Sequence, residues 1–124
     1  MVDFANTLET IANRIEGCAA VVILGIDGIP IERHVQKTNR SSLDVDLIAT
    51  EFTTLMRRSM STAADTDLGD LREMVLVTDL MTFLLRPITP DYFLLLVLNP
   101  GGNVGRARFE LRKAQLSMEI EFAM

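Results

Sequence analysis

Apolar residues recur at spacings of four, three and four through Phe4, Leu8, Ile11 and Ile15, which predicts a helix over 3–16. Asp3 is placed to cap its free amides and Gly17 to stop it. The pattern then changes. Residues 19–26, Ala-Ala-Val-Val-Ile-Leu-Gly-Ile, are short, β-branched and apolar, as expected of a strand buried on both faces. Asp27-Gly28 predicts a tight two-residue hairpin turn. The return strand, 29–35, belongs at a sheet edge because Pro30 has no amide proton to donate. A polar connection over 36–43 leads into a long helix from near Asp44, with Val45, Ile48, Phe52, Leu55, Met56 and Met60 on one stripe. Its second half holds the small residues Ser59, Ser61, Thr62, Ala63 and Ala64, which let another element approach closely, and Gly69 is its expected stop. Strands are expected over 73–78, 82–87 and 92–98, with turns at 79–81 and 88–91. The strand 92–98 is apolar at almost every position and belongs at the sheet centre. Asn99-Pro100-Gly101-Gly102-Asn103 interrupts the chain before a final helix carrying Val104, Ala107, Leu111, Ala114 and Met118.

The order is therefore α-β-β-α-β-β-β-α, an α+β chain in which hairpins make neighbouring strands antiparallel and a helix crosses between two strand groups. The two apolar central strands need cover on both faces, which assigns two helices to one face and the long one to the other. At 124 residues a single domain over 1–124 is expected. Twelve basic against 17 acidic residues leave a net charge of −5, which argues against nucleic acid or an anionic membrane surface as the main partner. The single cysteine and single histidine exclude an internal disulfide, a thiolate zinc cluster and a histidine-rich metal site. The first residues do not read as a basic-then-apolar leader. The longest apolar run, Phe93–Leu98, is far short of the roughly 20 residues that cross a bilayer. A cytoplasmic protein without membrane insertion is the expectation.

Candidate chemistry is sparse. Gly101-Gly102-Asn103-Val104-Gly105 follows a strand and opens a helix, where a phosphate could meet free amides. The G-x-G-x-x-G spacing and the following strand with its acidic residue are missing, so these read as turn glycines, with Gly105 letting the helix approach the sheet. No P-loop motif occurs. His34 lacks a signalled nucleophile beside it, and Cys18 precedes a buried strand and reads as an inert core thiol. Asp65, Asp67 and Asp70 fail the calcium-loop spacing, with Gly69 and Leu76 at ligand positions. No catalytic, cofactor-binding or metal-binding residue is assigned, and the chain does not read as an enzyme. Arg106, Arg108, Arg112 and Lys113 crowd the last helix, and Arg108 and Arg112, one turn apart, are the candidates for gripping an anionic partner surface. The strand 73–78 is largely apolar and carries no internal proline or lysine to blunt an edge, so it invites another chain.

Three stretches carry a resemblance to the roadblock/dynein light chain domain family, and within it to the bacterial MglB-like regulators of Ras-like GTPases. They are the first hairpin Ala20–Ile31 with its Asp-Gly turn, the helix end Asp67-Leu68-Gly69-Asp70-Leu71, and the closing Asn99–Ala114 segment. The resemblance implies an α/β/α sandwich on a five-stranded antiparallel sheet and a homodimer whose sheet continues across both subunits. It places Ile48, Phe52, Leu55, Met56, Ser59 and Ala63 of the long helix, with Met74, Val75, Leu76, Val77 and Thr78, in that interface. It further implies a Ras-like small GTPase as partner, no cofactor and no catalytic group, with activation or scaffolding as the role. The alternatives are a small-molecule sensor with a pocket between sheet and helix, or a purely structural scaffold subunit.

Overall fold

The computed structural model describes residues 3–36 and 44–123. Its elements run α1 (Phe4–Asn13), β1 (Cys18–Gly25), β2 (Pro30–Val35), α2 (Val45–Asp65), β3 (Met74–Val77), β4 (Thr82–Thr89), β5 (Tyr92–Leu98) and α3 (Val104–Ala123), in the order read from the sequence. The polar connection expected over 36–43 lies, apart from Gln36, outside the described residues. The Asp3 carboxylate accepts from the Asn6 amide at 3.1 Å and that of Asp44 from the Leu47 amide at 3.0 Å, so both caps form where expected.

Several boundaries differ from the expectation, each for a local reason. α1 stops at Asn13 rather than 16, although Ile15 beyond it is still buried. α2 stops at Asp65, and its terminator is Asp67 rather than Gly69. Asp67 takes a left-handed φ of 55°, and the Asp67 and Leu68 amides turn back onto the carbonyls of Ala64 and Ala63 at 3.3 and 3.0 Å. This is a Schellman closure with a short polar side chain in the glycine position. The first hairpin is not a two-residue turn either. The Gly28 amide donates to Gly25, the Gly25 amide donates to Ile29, and only Gly28 has a positive φ, which makes a three-residue loop with a bulge. β4 runs past Pro87 to Thr89 instead of ending at 87, with an irregularity between Pro87 and Thr89. Proline is tolerated there because β3 pairs with β4 only as far as Leu85, so no neighbour on that side needs the missing donor.

The strands form one antiparallel sheet in the order β2-β1-β5-β4-β3, with the apolar β1 and β5 inside and the proline-bearing β2 at one edge. Alternation along β5 splits the core in two. Leu94, Leu96 and Leu98 pack with Val21 and Ile23 under α1 and α3, whereas Phe93, Leu95 and Val97 pack with Val22 and Leu24 under α2. Five strands at about 4.8 Å spacing span about 19 Å between their outer axes. A helix with its side chains is about 10–12 Å across. Two helices lie over one face, and a single helix lies over the other.

Candidate partner-binding surface

β3 forms the sheet edge opposite β2. β3 alternates: Met74 and Leu76 are half-buried on the α2 side, while Val75 and Val77 on the other side are 41% and 72% exposed. No lysine, proline or bulge interrupts the strand. On the α2 side Ile48, Phe52 and Met60 also touch the core without being fully buried. Ser59 links helix and edge, its hydroxyl donating to the Leu55 carbonyl at 2.9 Å and lying 3.2 Å from the Met74 sulfur. Thr78 closes the turn after β3, its hydroxyl accepting from the Leu80 and Met81 amides.

Around the start of β3 lies a cluster of arginines. Arg108 on α3 grips Glu73 with two parallel hydrogen bonds at 2.9 and 2.8 Å. That fork holds the Glu73 carboxyl below the usual carboxylate range, and the same bond raises Arg108. Arg86 on β4 donates to Gln115 at 2.9 Å. Burial lowers the Arg86 pKa, and the repulsion of Arg112, Arg72 and Arg108 adds to this against the attraction of Glu73. Arg72 and Arg86 line an open cleft of about 400 Å³ between the 70–72 segment and β4, with Asp70 and Glu119 supplying equal negative charge. The cleft opens at the sheet edge. The layer between sheet and helices, where the small-molecule alternative would place its pocket, is filled by fully buried Phe93, Leu94, Leu95 and Leu96.

The chain superposes on known structures over nearly its full length. The roadblock/LC7 domain of Streptomyces avermitilis matches with a TM-score of 0.85 at 16% identity, covering 99% of this chain and 100% of that one. The chain has the roadblock/LC7 fold. MglC of Myxococcus xanthus matches at 28% identity with a TM-score of 0.69, covering 95% of this chain and 98% of that one. The gliding protein MglB of Thermus thermophilus matches at 14% identity and a TM-score of 0.82, covering 92% and 84% respectively. No family model and no curated protein matches the sequence.

Within this roadblock fold the residues singled out from sequence fall into distinct settings. Ile48, Phe52, Leu55, Ser59 and Ala63 are half-buried on α2, and Val75, Val77 and Thr78 are exposed. Met56 requires a correction: it is 0% exposed within the single chain, so it fills the core under α2 and has no surface to offer a second subunit. Arg112 is exposed, while the Arg108 guanidinium is taken up by Glu73. Gly105 is exposed and its missing Cβ would touch nothing closer than 3.6 Å, so it does not mediate helix packing. That role falls to Gly17 and Gly102: a Cβ on Gly17 would sit 2.6 Å from the Gly102 Cα. The close approach lets the Asn99 amide reach the Gly17 carbonyl at 2.8 Å and the Asn103 amide the Glu16 carbonyl at 3.1 Å, locking the loops before β1 and after β5 together.

Sequence reasoning missed Glu110. It is 1% exposed, and neither of its oxygens accepts a well-aligned hydrogen bond among the described residues. Arg106 at 2.9 Å, Lys113 at 3.6 Å and Arg14 at 3.8 Å surround it with charge instead. The signal was its position on the wheel beside Ala107 and Leu111. Among the described residues no group of three or more His, Cys, Asp or Glu could hold a metal, and no helix is long and apolar enough to cross a membrane.

Proposed function

We propose that this domain is a non-enzymatic cytoplasmic adaptor that dimerises through β3 and α2, binds a Ras-like small GTPase on the composite platform, and biases its nucleotide cycle or location. The observation that carries the reading is an unprotected edge strand with apolar side chains left open on both its faces, exposed Val75 and Val77 on one and half-buried Met74 and Leu76 on the other. A second copy related by a two-fold axis perpendicular to the sheet answers both needs, extending the sheet and laying a second α2 beside the first. Such an axis keeps each strand's faces in register only if the paired residue numbers have an even sum, because a one-residue slip would set Val75 against Leu76 of the other face. The register centred on Leu76 pairs Val75 with Val77 of the second copy, twice, and uses the whole of β3.

The partner class rests on the resemblance to MglB-like regulators, which the structural likeness to MglB and MglC supports. A dimer without catalytic groups acts by differential binding and shifts the switch-loop populations of its GTPase by no more than its preference between nucleotide states. Titrating the dimer with a Ras-like GTPase loaded with GDP or with a GTP analogue tests this. A clear preference supports regulation, equal affinity leaves a passive scaffold, and no binding to either form removes the GTPase from the reading.

A further inference from the structure

A different observation concerns the outer face of α3. The sheet-facing side of this helix carries Ala107, Leu111, Ala114 and Met118, all buried. Directly opposite, at spacings of four, three and four, lie Phe109, Lys113, Leu116 and Ile120. Three of these four are large and apolar, and they are 56%, 54% and 64% exposed. That spacing is the a/d seam of a coiled coil, facing solvent. The charges beside it are unevenly distributed: Arg106, Arg108, Arg112 and Lys113 stand in the first half of the helix, Glu119 and Glu121 in the second.

We propose that α3 is a second self-association surface, on which two copies of this chain pair their α3 helices antiparallel. A two-fold axis between residues 114 and 115 sets Phe109 against Ile120 of the second copy and Lys113 against Leu116. On one flank the same axis brings Arg112 opposite Glu119 of the second copy, and it does so twice. A parallel arrangement would put Lys113 against Lys113 in the seam and lose the Arg112–Glu119 pairs, setting the basic first half of one helix beside that of the other, so charge selects the antiparallel one. Phe109 is already aligned for such a seam by the cations above it, with Arg106 and Lys113 at 5.5 and 5.6 Å from its ring centre. Glu119 is oriented by Gln115, whose amide donates to it. The seam is about three turns long and buries less than the roughly 800 Å² per partner of a stable interface, so the contact is weak by itself and gains strength when chains are already paired elsewhere.

The contact stands apart from β3 pairing and is tested apart from it. In a Val77→Lys background, which blocks the edge strand, sedimentation equilibrium at high protein concentration is expected to show a monomer–dimer equilibrium that weakens with salt. Arg112→Glu alone, or Glu119→Arg alone, then weakens it by about tenfold or more, since two attractive pairs become repulsive. The double reversal restores it to within about threefold of the parent. Leu116→Glu abolishes it while the circular dichroism of the monomer is unchanged, because that side chain already faces solvent. A Val77→Lys chain that stays monomeric at every concentration overturns the proposal, and so do single reversals without effect or a double reversal that fails to restore pairing. Loss of dimers in Val77→Lys together with a salt-sensitive residual association separates the two interfaces.

Discussion

Replacing Val77 by lysine tests the edge-strand dimer most directly. Val77 is 72% exposed in the single chain and Val75 is 41% exposed, so each has surface left to bury on pairing. Fully burying a valine contributes about 1.5–3 kcal/mol, and the exposed fraction of Val77 scales this to about 1–2 kcal/mol. A two-fold dimer contains the site twice, which makes the loss about 2–4 kcal/mol, or a dissociation constant raised roughly 30- to 1000-fold. The folded monomer is left almost untouched, within about 0.5 kcal/mol, because an exposed edge position tolerates lysine. Sedimentation equilibrium gives the association constant, and urea unfolding of the monomer at low concentration gives the control. Ile29→Lys, an exposed apolar residue next to the opposite edge, serves as the reference and is expected to leave association unchanged. A dissociation constant that moves equally in both variants, or in neither, would refute the placement of the interface on β3.

Gly17→Ala is expected to destabilise by several kcal/mol more than Gly101→Ala in urea unfolding. Both glycines have a φ near +82°, where a side chain costs about 1–2 kcal/mol, but only at Gly17 does the new Cβ run into backbone, at 2.6 Å from Gly102. Equal losses would show that the close approach of the two loops is not under constraint. Glu73 should titrate below the ordinary carboxylate value of 4.5 by carboxyl-carbon NMR, and Arg108→Ala should move its midpoint up. Because the folded pKa is depressed, the ion pair's stabilisation is present above 4.5 and fades as the pH falls through the lowered value. Burial pushes the Cys18 thiol from 9.0 up to about 12, so the folded chain should resist alkylation at pH 8 and react only on unfolding. With the folded value raised, its contribution to stability is complete below pH 9 and is lost as the pH climbs toward 12.

Element order and layering were legible from the chain because each element carries its own period. The four-three-four spacing of α1, the unbroken apolar run of β5 and the proline of β2 are local signals, and local physics is enough to read them. Boundaries were less legible where one backbone conformation has several suppliers. Asp67 ends α2 although Gly69 is nearby, since an aspartate can take the left-handed residue of a helix stop.

Side-chain destinations were decided by the tertiary structure. Met56 and Leu55 are neighbours on one stripe, yet packing against the sheet buries Met56 completely and leaves Leu55 only half-buried. Arg108 and Glu73 are 35 positions apart, and only the docking of α3 on the sheet brings them into a two-bond clasp. Glu110 sits among three cations: the spacing within α3 supplies Arg106 and Lys113, and only the tertiary fold brings in Arg14 from just after α1. The amphipathic pattern thus told which face of each element turns inward, a property of the chain's own periodicity. Which residues stay open to a partner depended on where the helices dock across five strands and which strand is left at the edge, and that is a matter of widths and distances in three dimensions.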